Sequence, residues 1–373
     1  TRELLSQLAR LPAGAIVVGF SGGLDSSVLL HALAALAPAR QHGLRALHVD
    51  HGLQTQSGQW ATHCARVAAE LGVPFEQIAI VPVVAAGNGI EAAARAARYR
   101  ALGGAMRSGE ILATAQHADD QAETVLLKLL RGAGPEGLGG MRAFRRFDPG
   151  HLWRPLLDVP RARLLDYAQA HALHWIEDPS NDDTRLRRNF LRREILPHIA
   201  RRWPDATAAI AHSARWAREA ADFIEQEARG ALARLQEADP ATLAWRGWLD
   251  LPQALRDPVL RLWLRSLGLD EPAHFHVAEL ERQLRSTHER ALCVRWNQCE
   301  VRAYREILYA MHLLADLPHD WRAMWDGAPV ALPAGGSLAL RSNSPSADAT
   351  RNGSNFMIGY RRGGERIKPY TSA

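Results

Sequence analysis

The sequence predicts an α/β protein in which a doubly wound, mostly parallel sheet is followed by a helical domain and a small α+β module at the C-terminal end. Three observations lead there. Over residues 1 to about 140, short apolar runs rich in β-branched residues alternate four times with longer runs of helical character. Small and polar residues cluster just after several of those apolar runs, at the strand ends where open α/β sheets hold ligands. From about residue 204 the pattern changes to amphipathic helices, and from about 315 to short strand-like pieces.

The elements follow in order. AIVVGF (15–20) reads as the first strand, with its helix over 26–36. RALHVD (45–50) is the second, with a helix over 59–71. PFEQIAIV (74–81) is the third, followed by an alanine-rich helix over 90–107. EILATAQ (110–116) is the fourth, with a helix over 120–130. Residues 151–203 leave the alternation: RPLLDVPRARL holds a proline-bounded helix start, and EDPSNDDTRLRRNFLRREILP is a turn running into an arginine-rich segment. Within 204–314, VLRLWLRSLGL and VAELERQLRS are amphipathic, and DPATLAW (239–245) reads as a linker. LPAGGSLAL and FMIGYRRGGERIKP read as strands on either side of a polar, turn-rich loop over 341–355.

A chain of 373 residues is long enough for two or three domains. Its 47% hydrophobic and 23% charged residues are those of an ordinary globular protein, and the net charge of +5 admits an anionic partner. The three cysteines, Cys64, Cys293 and Cys299, form no CxxC pair, which argues against a disulfide framework, a zinc knuckle and cysteine redox chemistry. There is no internal repeat, no secretory leader pattern and no apolar run near eighteen residues, so a cytoplasmic protein with no membrane partner is expected. The start at Thr1 instead of Met reads as a processed or trimmed N-terminus.

The stretch GFSGGLDSS (19–27) carries the most chemistry. A strand running through glycines into a helix aims unpaired amides and the positive helix end at one point, which suits a phosphate. Ser21, Ser26 and Ser27 add hydroxyls around Gly22, Gly23 and Leu24. With no lysine, the stretch is neither GxxxxGK[ST] nor GxGxxG. Asp25 puts a carboxylate inside this anion site, which is repulsive unless a cation or an amine lies between them, and this suggests Mg²⁺ with ATP.

HADDQAET (117–124) opens the helix after the fourth strand. Asp120 and Glu123, three apart, share one helical face, while Asp119 and Asp120 suit a positive helix end. The set reads either as an acidic capping turn or as carboxylates facing the phosphate turn to hold Mg²⁺ or an amine substrate. Arg95 and Arg98 lie one turn apart on the alanine-rich helix, as a solvated face or as phosphate contacts. Seven arginines between Arg185 and Arg202 face one acid, Glu194, which is either a solvated run or a surface for phosphodiesters. The glycine-rich GAGPEGLGGM (132–141) is a flexible connection or a loop closing over substrate. His48, His51 and His117 lie at strand ends with no zinc spacing, and the eleven tryptophans read mainly as core.

SGGLDSS resembles the PP-loop of the N-type ATP pyrophosphatases. HVDHGLQ (48–54), ARAARYRAL (94–102), ATAQHADDQAETVLLKLLRGAGPEGLGGM (113–141), RPLL (154–157) and the EDPSNDD…RRNFLRREILP block (177–197) follow in the order of the tRNA(Ile)-lysidine synthetase family, and RRGGERIKP (361–369) resembles its C-terminal module. The resemblance implies a Rossmann-like PP-loop catalytic domain over 1–203, a helical tRNA-binding domain over 204–314, and a C-terminal tRNA-binding module over 315–373 that stops short of the family's length. It implies a ligase that uses ATP and Mg²⁺ to adenylate C2 of cytidine at the first anticodon position of tRNA(Ile) with a CAU anticodon, then joins the ε-amine of L-lysine there. Residues 21–27 with Arg98, and Arg95 close behind it, are then expected to bind ATP. Asp25, Asp120 and Glu123 are expected to be catalytic, with Mg²⁺ on Asp25 and Asp120. His48, Asp50 and His51 are expected beside the nucleotide, and His117, Asp119, Arg188, Asn189 and Arg192 toward the RNA substrate. A homodimer is an open expectation. Two rivals share the loop: a tRNA thiolation enzyme, which would usually carry the CxxC pairs missing here, and a non-catalytic tRNA-binding protein, against which Ser21, Asp25, Asp120 and Glu123 all argue.

Overall fold

The computed structural model describes residues 2–8, 10–50, 57–80, 90–286, 292–313, 320–325, 328–333, 337–339 and 356–359. His51, the polar loop over 341–355 and the RRGGERIKP block lie outside them. Two compact units divide the chain at residues 223 and 224.

The first unit runs α1 (Arg2–Leu8), β1 (Ile16–Gly19), α2 (Leu24–Ala34), α3 (Ala37–Gln41), β2 (Arg45–Asp50), α4 (Ser57–Glu70), β3 (Phe75–Ala79), α5 (Ile90–Ala105), β4 (Ile111–Ala113), α6 (Ala118–Leu129), α7 (Pro135–Leu138), β5 (Phe144–Phe147), β6 (Gly150–Trp153), α8 (Arg161–Ala170), α9 (Arg187–Phe190), a π-helical turn (Leu191–Ile195) and α10 (Leu196–Arg202). The helix α11 (Ala206–Leu235) continues into the second unit. The six strands are ordered β3-β2-β1-β4-β6-β5, all parallel except the β5–β6 hairpin. The chain winds outward from β1 to β3, then α5 carries it back past β1 to β4. That reversal puts the switch point, where a crevice opens, at the carboxyl ends of β1 and β4.

Period-2 alternation explains the layers. Ile16, Val18 and Phe20 point into a core shared with α2, Cys64 of α4, and Leu164 and Tyr167 of α8. Val17, Leu47, Leu112 and Leu152 point the other way, against Leu102 and Met106 of α5. Because both faces are covered, the central strands read as unbroken apolar runs. At their opposite ends one guanidinium ties the sheet together. Buried Arg45 donates from Nε and Nη2 to Glu110 at 2.9 and 2.7 Å, from Nη1 to Glu76 at 2.9 Å, and from Nη2 to the Ala105 carbonyl at 2.8 Å. Burial raises the Glu110 pKa, but Arg45 and the Arg107 amide outweigh it and hold the carboxyl below its ordinary value.

The sequence places the first four strands and their helices correctly to within a few residues. It misses the hairpin β5–β6, whose FRRF and GHLW are short and lie beside Asp-Pro-Gly. In the second unit, β7 (Thr242–Ala244), α12 (Trp245–Asp250), α13 (Gln253–Ser266), α14 (His274–Arg285), β8 (Leu292–Trp296), β9 (Cys299–Tyr304) and β10 (Ile307–His312) follow, with β7-β10-β9-β8 as an antiparallel sheet. The residues read as a linker thus hold β7, and the end of the segment read as helical holds a meander. Trp248, Trp263 and Trp296 sit in this unit's core, each indole N–H bonded to a carbonyl, whereas Trp203 and Trp216 are exposed, so the core reading holds for only some of the tryptophans. Beyond it lie β11 (Arg322–Trp325), β12 (Val330–Ala331), β13 (Ser337–Leu338) and β14 (Phe356–Gly359), paired as β11–β14 and β12–β13. Among the described residues no helix is long and apolar enough to cross a membrane.

Candidate active site

A crevice of about 1110 Å³ opens at the switch point, slightly larger than the usual range of ligand pockets. The turn after β1 forms its floor. Ser26 Oγ accepts from the Ser21 amide at 3.2 Å and donates to the Gly23 carbonyl at 3.1 Å, and Ser27 Oγ donates to the Gly22 carbonyl at 3.4 Å. The serines therefore wind the turn. Gly23, the N-cap of α2, has no side chain to occupy the first-turn amides, which stay available to an anion. Gly22 takes φ +83°, and a Cβ there would lie 2.8 Å from Cys64 Sγ, so only glycine lets the turn sit down on α4. Burial pushes that Cys64 thiol up to about 12, leaving it an inert packing group.

Asp25 leans into the crevice from the first turn of α2. Its Oδ1 is buried without a hydrogen-bond partner, 3.9 Å from Arg161 Nε. His117 Nε2 approaches its Oδ2 at 3.6 Å and is likewise unbonded. Burial works against charge on His117, but Asp119, Asp25 and Asp120 surround the ring and together raise its pKa to about 9. His117 also caps α6: its backbone amide donates to Asp120 Oδ2 at 3.1 Å and its Nδ1 lies 3.4 Å from the Asp120 amide. The imidazolium has no lone pair to accept that second bond, so near neutral pH Nδ1–H instead faces Asp119 Oδ2 at 3.5 Å. Asp119 Oδ2 in turn accepts from the Arg161 amide at 2.8 Å and caps α8.

Asp120 and Glu123 share the predicted face, and both meet the arginine segment. Glu123 is fully buried. Its Oε2 takes Arg188 Nε at 2.6 Å and its Oε1 takes Arg192 Nε at 2.6 Å. Arg192 Nη2 also reaches Asp120 Oδ1 at 2.9 Å. The π-helical turn starts just before Arg192, so its wider winding sets how Arg188, Arg192 and Arg193 are spread. Arg193 turns instead to Asp182. Asn189 Nδ2 donates to the Asp183 carbonyl and holds the turn that follows a short 3-10 helix (Pro179–Asp182).

Of the expected residues, Ser21, Gly23, Leu24, Asp25, Ser26, His48, Asp50, Arg98, Asp120 and Arg192 line the crevice. Gly22, Ser27, Arg95, His117, Asp119, Glu123, Arg188 and Asn189 do not line it. His48 is buried, and its Nδ1–H donates to the Phe20 carbonyl at 2.8 Å, locking the ends of β1 and β2 together. Arg95 lies over the Tyr99 ring at 5.0 Å. Arg98 differs from the other site cations: among the described residues no carboxylate pairs with it. Burial lowers its pKa, Tyr99 opposes, and Arg95 and Arg188 lower it further. A desolvated cation facing a crevice without a counter-ion is built to receive an anion. Trp60, Trp175 and Gln116 also line the crevice and carried no sequence signal of their own.

Among the described residues no three His, Cys, Asp or Glu side chains are grouped to hold a metal by themselves. Mg²⁺ does not require such a group, since it is often held by one or two carboxylates plus substrate phosphates. The orphaned Oδ1 of Asp25 beside the phosphate turn fits that pattern. Both oxygens of Asp120 are already engaged, by Arg192 and by the cap.

An amide-lined glycine turn, an inward carboxylate and an arginine with no carboxylate partner among the described residues meet at a parallel switch point, as suits a PP-loop enzyme that uses ATP. A PP-loop domain model matches residues 1–199, and a TilS substrate binding domain model matches residues 243–309. The chain is 45% identical to a tRNA(Ile)-lysidine synthase of Xanthomonas axonopodis pv. citri, over 96% of this chain and 81% of that one. It is 43% identical to one of Pseudomonas aeruginosa, over 95% and 80%, and 40% identical to one of Methylococcus capsulatus, over 96% and 83%. The chain belongs to the tRNA(Ile)-lysidine synthase family of ATP-dependent ligases.

Proposed function

We propose that this protein uses ATP to adenylate the C2 oxygen of cytidine at the first anticodon position of tRNA(Ile) with a CAU anticodon, and then joins the ε-amine of L-lysine to C2. The observation that carries the reading is the meeting of the glycine turn, Asp25, Arg98 and Asp120 in one crevice of a chain from this family.

The C2 oxygen attacks the α-phosphorus and pyrophosphate leaves. The first-turn amides of α2 and the Arg98 guanidinium face where charge builds on the phosphates. Mg²⁺, when bound, neutralises phosphate charge, and Asp25 is the carboxylate that fits it. Adenylation makes C2 electrophilic, the lysine amine attacks there, and AMP leaves. Lysine arrives as an ammonium, so it needs a carboxylate to orient it and a route for its proton. Asp120 is the inward carboxylate of α6, and the ammonium would compete with Arg192 for Oδ1. Glu123, buried behind it, holds Arg188 and Arg192 and so acts by positioning. The reacting cytosine has to be splayed from its loop, the usual way single-stranded RNA is read. We assign 1–203 to catalysis and the later residues to tRNA binding, and place the protein in the cytoplasm with its RNA substrate.

The test incubates the protein with Mg-ATP, isotopically labelled lysine and a CAU-anticodon tRNA(Ile) transcript, then digests the RNA for mass spectrometry. A cytidine carrying labelled lysine is the expected product. ATP-dependent pyrophosphate release without a lysine adduct would overturn the choice of nucleophile and leave only the adenylation half.

A further inference from the structure

The glycine-rich stretch after α6, read as a flexible connection or a loop closing over substrate, is held at its far end and leads to a second hollow. The Gln121 amide bonds Met141 on both sides, donating to its carbonyl at 3.1 Å and accepting from its amide at 2.8 Å. Arg218 Nη2 donates to the Gly140 carbonyl at 2.9 Å. Gly140 takes φ +63°, with the Gln121 amide 2.7 Å from where a Cβ would stand. Pinned in this way, the loop walls a hollow of about 480 Å³ in the first unit, away from the nucleotide turn.

Its charged lining is Lys128, Arg142, Arg145, Arg154 and Arg218 against a single acid, Glu136. Arg142 is ion-paired with Asp222. Arg154 is buried but held by neutral acceptors, Nε to Gln116 Oε1 at 3.1 Å and Nη1 to the Arg142 carbonyl at 2.7 Å. Lys128 and Arg145 have no carboxylate within ion-pair distance among the described residues. Lys128 and Arg145 thus bring charge to this concavity that no described carboxylate pairs with, which suits an anion from outside. The hollow is also wired to the active site. Gln116, which Arg154 holds, lines the nucleotide crevice, and Lys128 lies on the same helix as Asp120, eight residues and ~12 Å further along α6. A short run of nucleotide backbone spans that distance.

We infer that this hollow seats a backbone phosphate of the RNA substrate close to the nucleotide being modified. The inference rests on the proposed function, because it takes RNA as the substrate. Inorganic pyrophosphate, the other phosphate source at this site, is the competing occupant. The experiment measures binding of the CAU-anticodon tRNA transcript to the full chain across a salt series, comparing the unaltered protein with the double variant K128Q/R145Q. The double variant should bind tRNA roughly fivefold to tenfold more weakly. Its plot of log affinity against log salt should be shallower by about 1, close to the loss of one phosphate contact. Affinity for ATP without RNA should not change, and K128R/R145K should keep the original slope. An unchanged affinity and slope in a folded double variant overturns the inference. So does an unchanged slope with weakened inhibition by inorganic pyrophosphate, which would make the hollow a pyrophosphate seat. Lysine incorporation by the unaltered chain reads the proposed function separately, so the two ideas fail independently.

Discussion

Arg98 is the residue whose setting speaks most directly for a ligand. It carries charge in a desolvated place beside Arg95 and Arg188, with no carboxylate among the described residues to offset it. Replacing it by glutamine should therefore weaken ATP binding by roughly 10- to 100-fold, the scale of one charge-assisted hydrogen bond to phosphate. The same change should leave the melting temperature unchanged or slightly raised, because an uncompensated cation disappears. Titration calorimetry with ATP and a thermal melt check both halves, and a strongly destabilised variant with normal ATP affinity would make Arg98 structural. Asp120 carries the opposite signature, with both oxygens engaged before substrate arrives. Asp120→Ala should abolish lysine incorporation and cost about 1 kcal/mol through the lost cap of α6. Denaturant melts and the labelled-lysine assay separate the two effects, and near-normal incorporation would remove Asp120 from the site.

At the scale of elements, the turn between β1 and α2 works because a glycine sits where the backbone is left-handed and pressed against α4. Gly22→Ala adds strain of about 1–2 kcal/mol from φ alone and a clash with Cys64 Sγ. The expected result is a lower melting temperature and a raised KM for ATP. Adding Cys64→Ala should relieve the clash but not the φ strain, recovering only part of the loss; full recovery would show that the backbone conformation costs nothing. The hairpin β5–β6 and the π-helical turn are also element-scale features, and neither is legible from residues. The π turn lies beside the two guanidiniums that meet on one buried Glu123, contacts 65 and 69 residues apart in sequence. Propensity within a window of ten or fifteen residues carries no information about such a partner.

Across the whole first unit, the Arg45–Glu110–Glu76 cluster holds the sheet at the end away from the chemistry. Arg45→Met leaves Glu110 buried without its partner and should cost about 3–5 kcal/mol, while the double change Arg45→Met/Glu110→Leu should recover most of it. Because the folded Glu110 carboxyl is held below its ordinary 4.5, its contribution is present above that value and is lost as pH falls through the lower folded one. Urea melts across the acid range should show a loss of stability that Glu110→Gln abolishes; an unchanged profile in that variant would assign the acid sensitivity elsewhere.

The amino-acid sequence by itself determined the alternation of strands and helices, the parallel sheet and the chemical character of its loops. Those properties reside in short windows: apolar period, glycine at a turn, acids at a helix start. It also named the glycine turn, Asp25, Arg98 and Asp120, which do meet in one crevice. Only the tertiary structure decided which of the named residues face that crevice and which support it. His117, Glu123 and Arg188 are charged residues of the kind that line active sites, yet Glu123 and Arg188 are spent on each other, and His117 faces Asp25, Asp119 and Asp120. Trp60 and Trp175 look like any core aromatic and line the crevice instead. Charge pairing and burial depend on distance in space, and residues far apart along the chain acquire those distances only when the sheet closes its layers.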